Sequence, residues 1–64
     1  MEYKISLRAA RVNSHMLQKD VAKAVGVTKE TVSNWESGKT APKATVIMRL
    51  CDLYKVPIDA IILP

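Results

Sequence analysis

From residue 6 to residue 54 the apolar positions recur every three or four residues, and helix-starting and helix-stopping residues bracket each group. Ser6 suits the cap of a first helix running to about Asn13, with Leu7 and Ala10 on its inward stripe; Asn13-Ser14-His15 closes it. A second helix spans Gln18 to Val25 and buries Val21, Ala22 and Val25. Gly26-Val27 turns the chain, and Thr28 caps a third helix that runs to about Ser37 and stops at Gly38. Residues 39–43, KTAPK, form a loop in which Pro42 either lies or opens the next helix. The wide stripe Val46, Ile47, Leu50, Leu53, Tyr54 predicts a fourth helix from Ala44 to Tyr54. Pro57 breaks it, and residues 58–63 read as one last short helical turn or two. No run alternates with a period of two. The pattern predicts an all-α domain of five helices occupying residues 1–64.

Within this pattern residues 18–38, QKDVAKAVGVTKETVSNWESG, carry the most information. Two short helices crossing steeply need a small side chain where their backbones approach, and Ala22 supplies it. Their turn needs a residue tolerant of positive φ, and Gly26 supplies that. Val32 then pins the second of the pair from inside. The result is a helix-turn-helix over about 18–37, which offers its second helix to a groove.

Length and charge narrow the partner. A chain of 64 residues has little room for a substrate cleft, and one this short buries only about 60% of its extended surface. The net charge of +4 is unevenly placed. Residues 1–43 hold Lys4, Arg8, Arg11, Lys19, Lys23, Lys29, Lys39 and Lys43 against Glu2, Asp20, Glu30 and Glu36, which accounts for the whole excess. Residues 44–64 balance Arg49 and Lys55 against Asp52 and Asp59. A basic front and a neutral apolar back suit a protein that docks a polyanion by one side. The single cysteine, Cys51, sits in an apolar helical run and reads as core. No stretch has the length of a signal peptide's apolar segment or a membrane span, so a soluble cytoplasmic protein is expected. No nucleophile triad, metal-ligand spacing or phosphate loop is present, and His15 stands alone in its turn; neither enzymatic activity, nor a cofactor, nor a metal is expected.

On a helical wheel at about 100° per residue, Thr28, Val32 and Trp35 gather with Val27 toward the core. Glu30, Ser33, Asn34 and Ser37 gather opposite, with Lys29 on the flank. Each of these outward side chains can hydrogen-bond to a base edge or a phosphate. Lys29 can donate to guanine, Glu30 can accept from cytosine N4, and Asn34 can pair with adenine, so Lys29, Glu30, Ser33 and Asn34 are the candidate base readers. Gln18 begins the second helix, where unpaired N–H groups make a phosphate site. With Thr28, Ser37, Lys39 and Lys43 it completes the candidate phosphate-binding set. Arg11 and Glu36 lie near the inward stripes of the first and third helices, which suggests a partly buried ion pair that orients the reading helix.

With these residues in view, the span LRAARVN…LQKDVAKAVGVTKETVSNWESGKTAP resembles the Cro and lambda-repressor type of helix-turn-helix domain, the Xre family. The resemblance rests on Arg11, Gln18, Ala22, Gly26-Val27, Thr28, Val32, Ser33-Asn34-Trp35-Glu36 and Gly38-Lys39, and covers nearly the whole chain. It implies a five-helix lambda-repressor-like domain that binds a partly palindromic DNA operator as a homodimer. It also implies that Gln18, Lys29, Glu30 and Asn34 occupy phosphate-binding and base-reading positions, and that Arg11 and Glu36 form a structural ion pair. Two positions depart from the family pattern. Leu17 replaces the usual Thr or Ser cap of the second helix, and His15 replaces the usual Gly or Asn in the turn before it, where strain is expected. The combined reading is a DNA-binding transcriptional regulator, a repressor of phage or mobile-element type. Ile58, Ile61, Ile62 and Leu63 are the candidate dimer surface, with closure of the core as the alternative use. The rival function is a protein-interaction module, an antitoxin or antirepressor that binds a partner protein.

Overall fold

The first three helices each begin or end on a local device that can be traced to one residue. The computed structural model describes residues 3–64, so Glu2 of the charge count lies outside the described residues. In chain order they form β1 (Ile5–Ser6), α1 (Leu7–Asn13), α2 (Gln18–Val25), α3 (Lys29–Ser37), α4 (Ala44–Tyr54), a 3-10 turn (Ile58–Ala60) and β2 (Ile61–Ile62). Ser6 Oγ accepts from the Ala9 N–H at 3.0 Å, and Thr28 Oγ1 accepts from the Thr31 N–H at 3.1 Å. Both α2 and α3 stop on left-handed glycines, Gly26 at φ 78° and Gly38 at φ 86°. The N–H groups of Gly26 and Val27 both return to Ala22 O at 2.9 Å, which closes the turn between the two helices. Pro42 is buried in the loop rather than opening α4, whose N-cap is Lys43.

One core joins all four helices. Leu7 and Ala10 from α1, Val21 and Ala22 from α2, Val32 and Trp35 from α3, and Leu50 and Tyr54 from α4 form a single buried cluster. Val25, Val27, Val46 and Leu53 pack around its rim. Cys51 is buried as well, and desolvation, reinforced by the neighbouring Asp52, pushes its thiol pKa up. It is a packing residue, with none of the activation a nucleophile needs.

The chain departs from the expected pattern at three places. Among the described residues there are four α-helices, not five, and the tail after Pro57 makes only a single 3-10 turn before it extends. β2 then pairs with β1 in parallel, Ile5 opposite Ile61 and Ser6 opposite Ile62. Isoleucines favour extended backbone, and here Ile61 turns onto the core while Ile62 stays exposed. Lys4 Nζ donates to Asp59 O at 2.8 Å and fastens the two ends of the chain together. Next, Thr28 is exposed and not inward. As an N-cap it stands outside the helical turn, so the wheel does not apply to it. Finally, α4 ends at Tyr54 as expected, but what stops it is Lys55 and not Pro57: Lys55 turns left-handed at φ 58° and the Val56 N–H returns to Cys51 O. His15 is the other non-glycine residue in that region, also at φ 58°, so the expected strain in the turn before α2 is present.

Candidate nucleic-acid interface

A single carboxylate holds α3 from behind. Glu36 accepts from Arg11 Nε–H at 2.7 Å and from Arg11 Nη2–H at 3.2 Å, a two-pronged pair with side chains only 11% and 5% exposed. Arg11 Nη1–H donates to Met16 O at 2.9 Å, tying the turn before α2 into the same group. Gln18 Nε2–H donates to Glu36 Oε1 at 3.0 Å. Residues from α1, α2 and α3 therefore meet at one side chain. These bonds outweigh burial and raise the Arg11 pKa above its ordinary value, so the guanidinium stays charged. Tyr54 stands close enough to feel both charges: burial, and then Glu36, push its phenol up to about 12, with Arg11 opposing. Among the described residues no buried side-chain N or O lacks a hydrogen-bond partner.

The opposite face of α3 is polar and open. Lys29 and Glu30 are exposed on its first turn, and Ser33 and Asn34 are half-exposed on the next. Thr28 and Ser37 are exposed at the two ends. Both hydroxyls have local partners: Thr28 Oγ1 lies 2.9 Å from Thr31 Oγ1, and Ser37 Oγ donates to Asn34 O at 3.2 Å. Lys39 and Lys43 are exposed in the loop that follows. A nine-residue helix is about 14 Å long, comparable with the roughly 12 Å width of a DNA major groove.

The start of α2 faces the start of α3 across a shallow depression of about 320 Å³, lined by Arg11, Leu17, Gln18, Lys19 and Lys29. This unites Gln18 with Lys29; Ser33, Asn34, Ser37, Lys39 and Lys43 lie outside the depression. Gln18 is half-buried and spends one amide N–H on Glu36, which fixes the side chain at the helix end. Leu17 cannot cap α2, but Asp20 Oδ2 accepts from the Leu17 N–H at 2.9 Å, the return half of a capping box. That bond and the Gln18–Glu36 bond let α2 begin at the expected residue without a side-chain cap. Lys19 escaped the sequence reading of the site. Its place one residue after Gln18, in the first turn of α2, is the signal that points to it.

Among the described residues Arg11 is neutralised by Glu36, whereas Lys19, Lys29, Lys39 and Lys43 are exposed and form no ion pair. Among the described residues no group of three metal-ligating side chains gathers, and no helix is long and apolar enough to cross a membrane.

Comparison with known proteins gives two findings. A helix-turn-helix family profile matches residues 7–61. The chain is also similar to the cryptic phage CTXphi transcriptional repressor RstR of Vibrio cholerae, 34% identical over 56 residues that make up 88% of this chain and 50% of that protein. The chain thus spans about half the length of this curated relative. No solved structure matches.

Proposed function

Because the chain belongs to the Cro/C1-type helix-turn-helix family, we propose that it binds double-stranded DNA sequence-specifically and regulates transcription as a repressor of phage type. The observation that carries this reading is the two-sidedness of α3. One side is clamped by Glu36 to α1 and α2, while Lys29, Glu30, Ser33 and Asn34 stand outward with their polar groups accessible. A helix held this firmly presents its side chains in a fixed register, as base reading requires. Lys29, Glu30, Ser33 and Asn34 read base edges in the major groove. Gln18, Thr28, Ser37, Lys39 and Lys43 hold the flanking phosphates. The likeness to RstR favours repression as the direction of control. The reading needs no cofactor and no catalytic step.

Lys39 tests the docking. Lys39→Ala is expected to weaken binding alike for every duplex and to lower the slope of log affinity against log salt by about 1, as for one lost phosphate contact. Titrations of a matched and a random duplex across a salt series give both quantities. An unchanged slope would remove Lys39 from the interface.

A second copy of the chain completes the reading, since one short helix contacts few base pairs. Ile58, Ile62 and Leu63 are the exposed apolar groups of the tail and form the proposed contact, whereas Ile61 is used by the core. Ile62→Asp leaves the core untouched and is expected to reduce the operator-bound form from two chains to one, measured by mass photometry or light scattering. Two chains bound as before would place the interface elsewhere.

A further inference from the structure

Leu17 breaks a local rule with no structural return. As N-cap of α2 it has no side-chain acceptor to offer, and the residue is 58% exposed. A serine or threonine there would satisfy an N–H and hide nothing apolar. A lone exposed leucine is ordinary on a protein surface. This one lines the depression between the starts of α2 and α3 together with Gln18, Lys19 and Lys29. It is the one apolar side chain among the lining residues, the others being Arg11, Gln18, Lys19 and Lys29.

We infer that Leu17 is a specificity-determining residue that packs against a thymine 5-methyl group at the edge of the bound major groove. The inference rests on the DNA-binding reading given above. Lys29 enters the groove as a base reader and Lys19 meets the flanking phosphate, so Leu17, on the wall they share, is carried against the duplex where backbone and groove meet. A leucine gains nothing from the amino, keto or ring-nitrogen groups that bases display there. The thymine methyl is the apolar group on that edge. Gln18, held by Glu36, fixes the start of α2 and with it the position of the leucine.

The test is a cycle between protein and DNA. Wild type, Leu17→Ala and Leu17→Ser are titrated against the selected duplex and against copies in which each thymine in turn is replaced by deoxyuridine. For wild type one such replacement per half-site is expected to weaken binding about four-fold, the ~0.8 kcal/mol of one buried methyl converted at ~1.4 kcal/mol per decade. For Leu17→Ala the same replacement is expected to cost nothing. Leu17→Ser is expected to raise Tm by about 4 °C through the restored cap while losing the same preference, so that stability and specificity move in opposite directions. A purely structural role moves them together. Thymine replacements that cost wild type and Leu17→Ala equally would overturn the inference, as would a loss of affinity in Leu17→Ala that is uniform over all duplexes, the mark of a sugar contact. If wild type prefers no duplex at all, the DNA-reading proposal itself falls first.

Discussion

Arg11→Ala is expected to destabilise the domain by about 3–5 kcal/mol, the cost of leaving one partner of a buried ion pair without the other. A chain of this length has a total stability of only about 3–10 kcal/mol at the usual per-residue values, so the variant is expected to be largely unfolded near physiological temperature. The reason lies in what Glu36 touches. Its carboxylate is 5% exposed and takes three hydrogen bonds, two of them from Arg11. Removing the guanidinium leaves a buried negative charge and also frees Met16 O, which Arg11 Nη1 holds at 2.9 Å. Arg11→Lys should recover only part of the loss, because an ammonium cannot reproduce the planar fork.

The double variant Arg11→Met, Glu36→Leu separates stability from binding. With both charges gone no ion is stranded, and a well-packed apolar pair is often neutral or stabilising. Melting is therefore expected to return toward wild type. Operator affinity is expected to stay low, because Gln18 has lost the acceptor that fixes it at the start of α2. Thermal denaturation and DNA titration on the same samples check both halves. A folded Arg11→Ala with an ordinary Tm would show that the pair does not orient α3.

Asn34→Ala is expected to cost about 1–3 kcal/mol in binding to the selected operator, roughly five- to 150-fold, and nothing in binding to random duplex. The side chain is half-exposed on the outer face of α3 and makes no hydrogen bond among the described residues. Asn34 contributes to the fold through its backbone carbonyl, which accepts from the Lys39 N–H at 3.0 Å and survives the change to alanine. Tm is therefore expected to hold within the small range usual for surface substitutions, about 0.5 kcal/mol in stability. Anisotropy titrations of operator and random duplex, beside a melting curve, distinguish a base reader from a phosphate contact. Equal losses on both duplexes would make Asn34 a backbone contact. The two predictions are opposites in kind: Arg11 acts on binding through the fold, and Asn34 acts on binding alone.

The parts of the molecule that were legible in the sequence are those decided within a few residues. Ser6, Thr28, Gly26 and Gly38 each act on the adjoining turn: Ser6 starts α1, Gly26 ends α2, and Thr28 and Gly38 start and end α3. The Arg11–Glu36 pair was readable because both residues border the inward stripes of their helices. What escaped was decided across the chain. β1 and β2 are two residues each, too short to show alternation, and each finds its partner at the far end of the sequence. Lys55 turns left-handed without being glycine or asparagine, so nothing local announces it. The start of the second helix marks Gln18 as a phosphate ligand, but its bond to Glu36 exists only when α2 and α3 are packed. Lys19 and Leu17 join the site for the same reason: the depression they line exists only between two helices.

On the proposed function, α3 reads a DNA sequence. The most direct test is selection of bound duplexes from a random pool by the wild-type protein, followed by binding of the winner and of random DNA across a salt series. An enriched motif of two similar half-sites about one helical turn apart is expected. Both affinities are also expected to fall as salt rises while the winner stays ahead of random DNA. No enriched motif, with every duplex bound and released alike, would contradict this reading and leave the polar face of α3 to a protein partner.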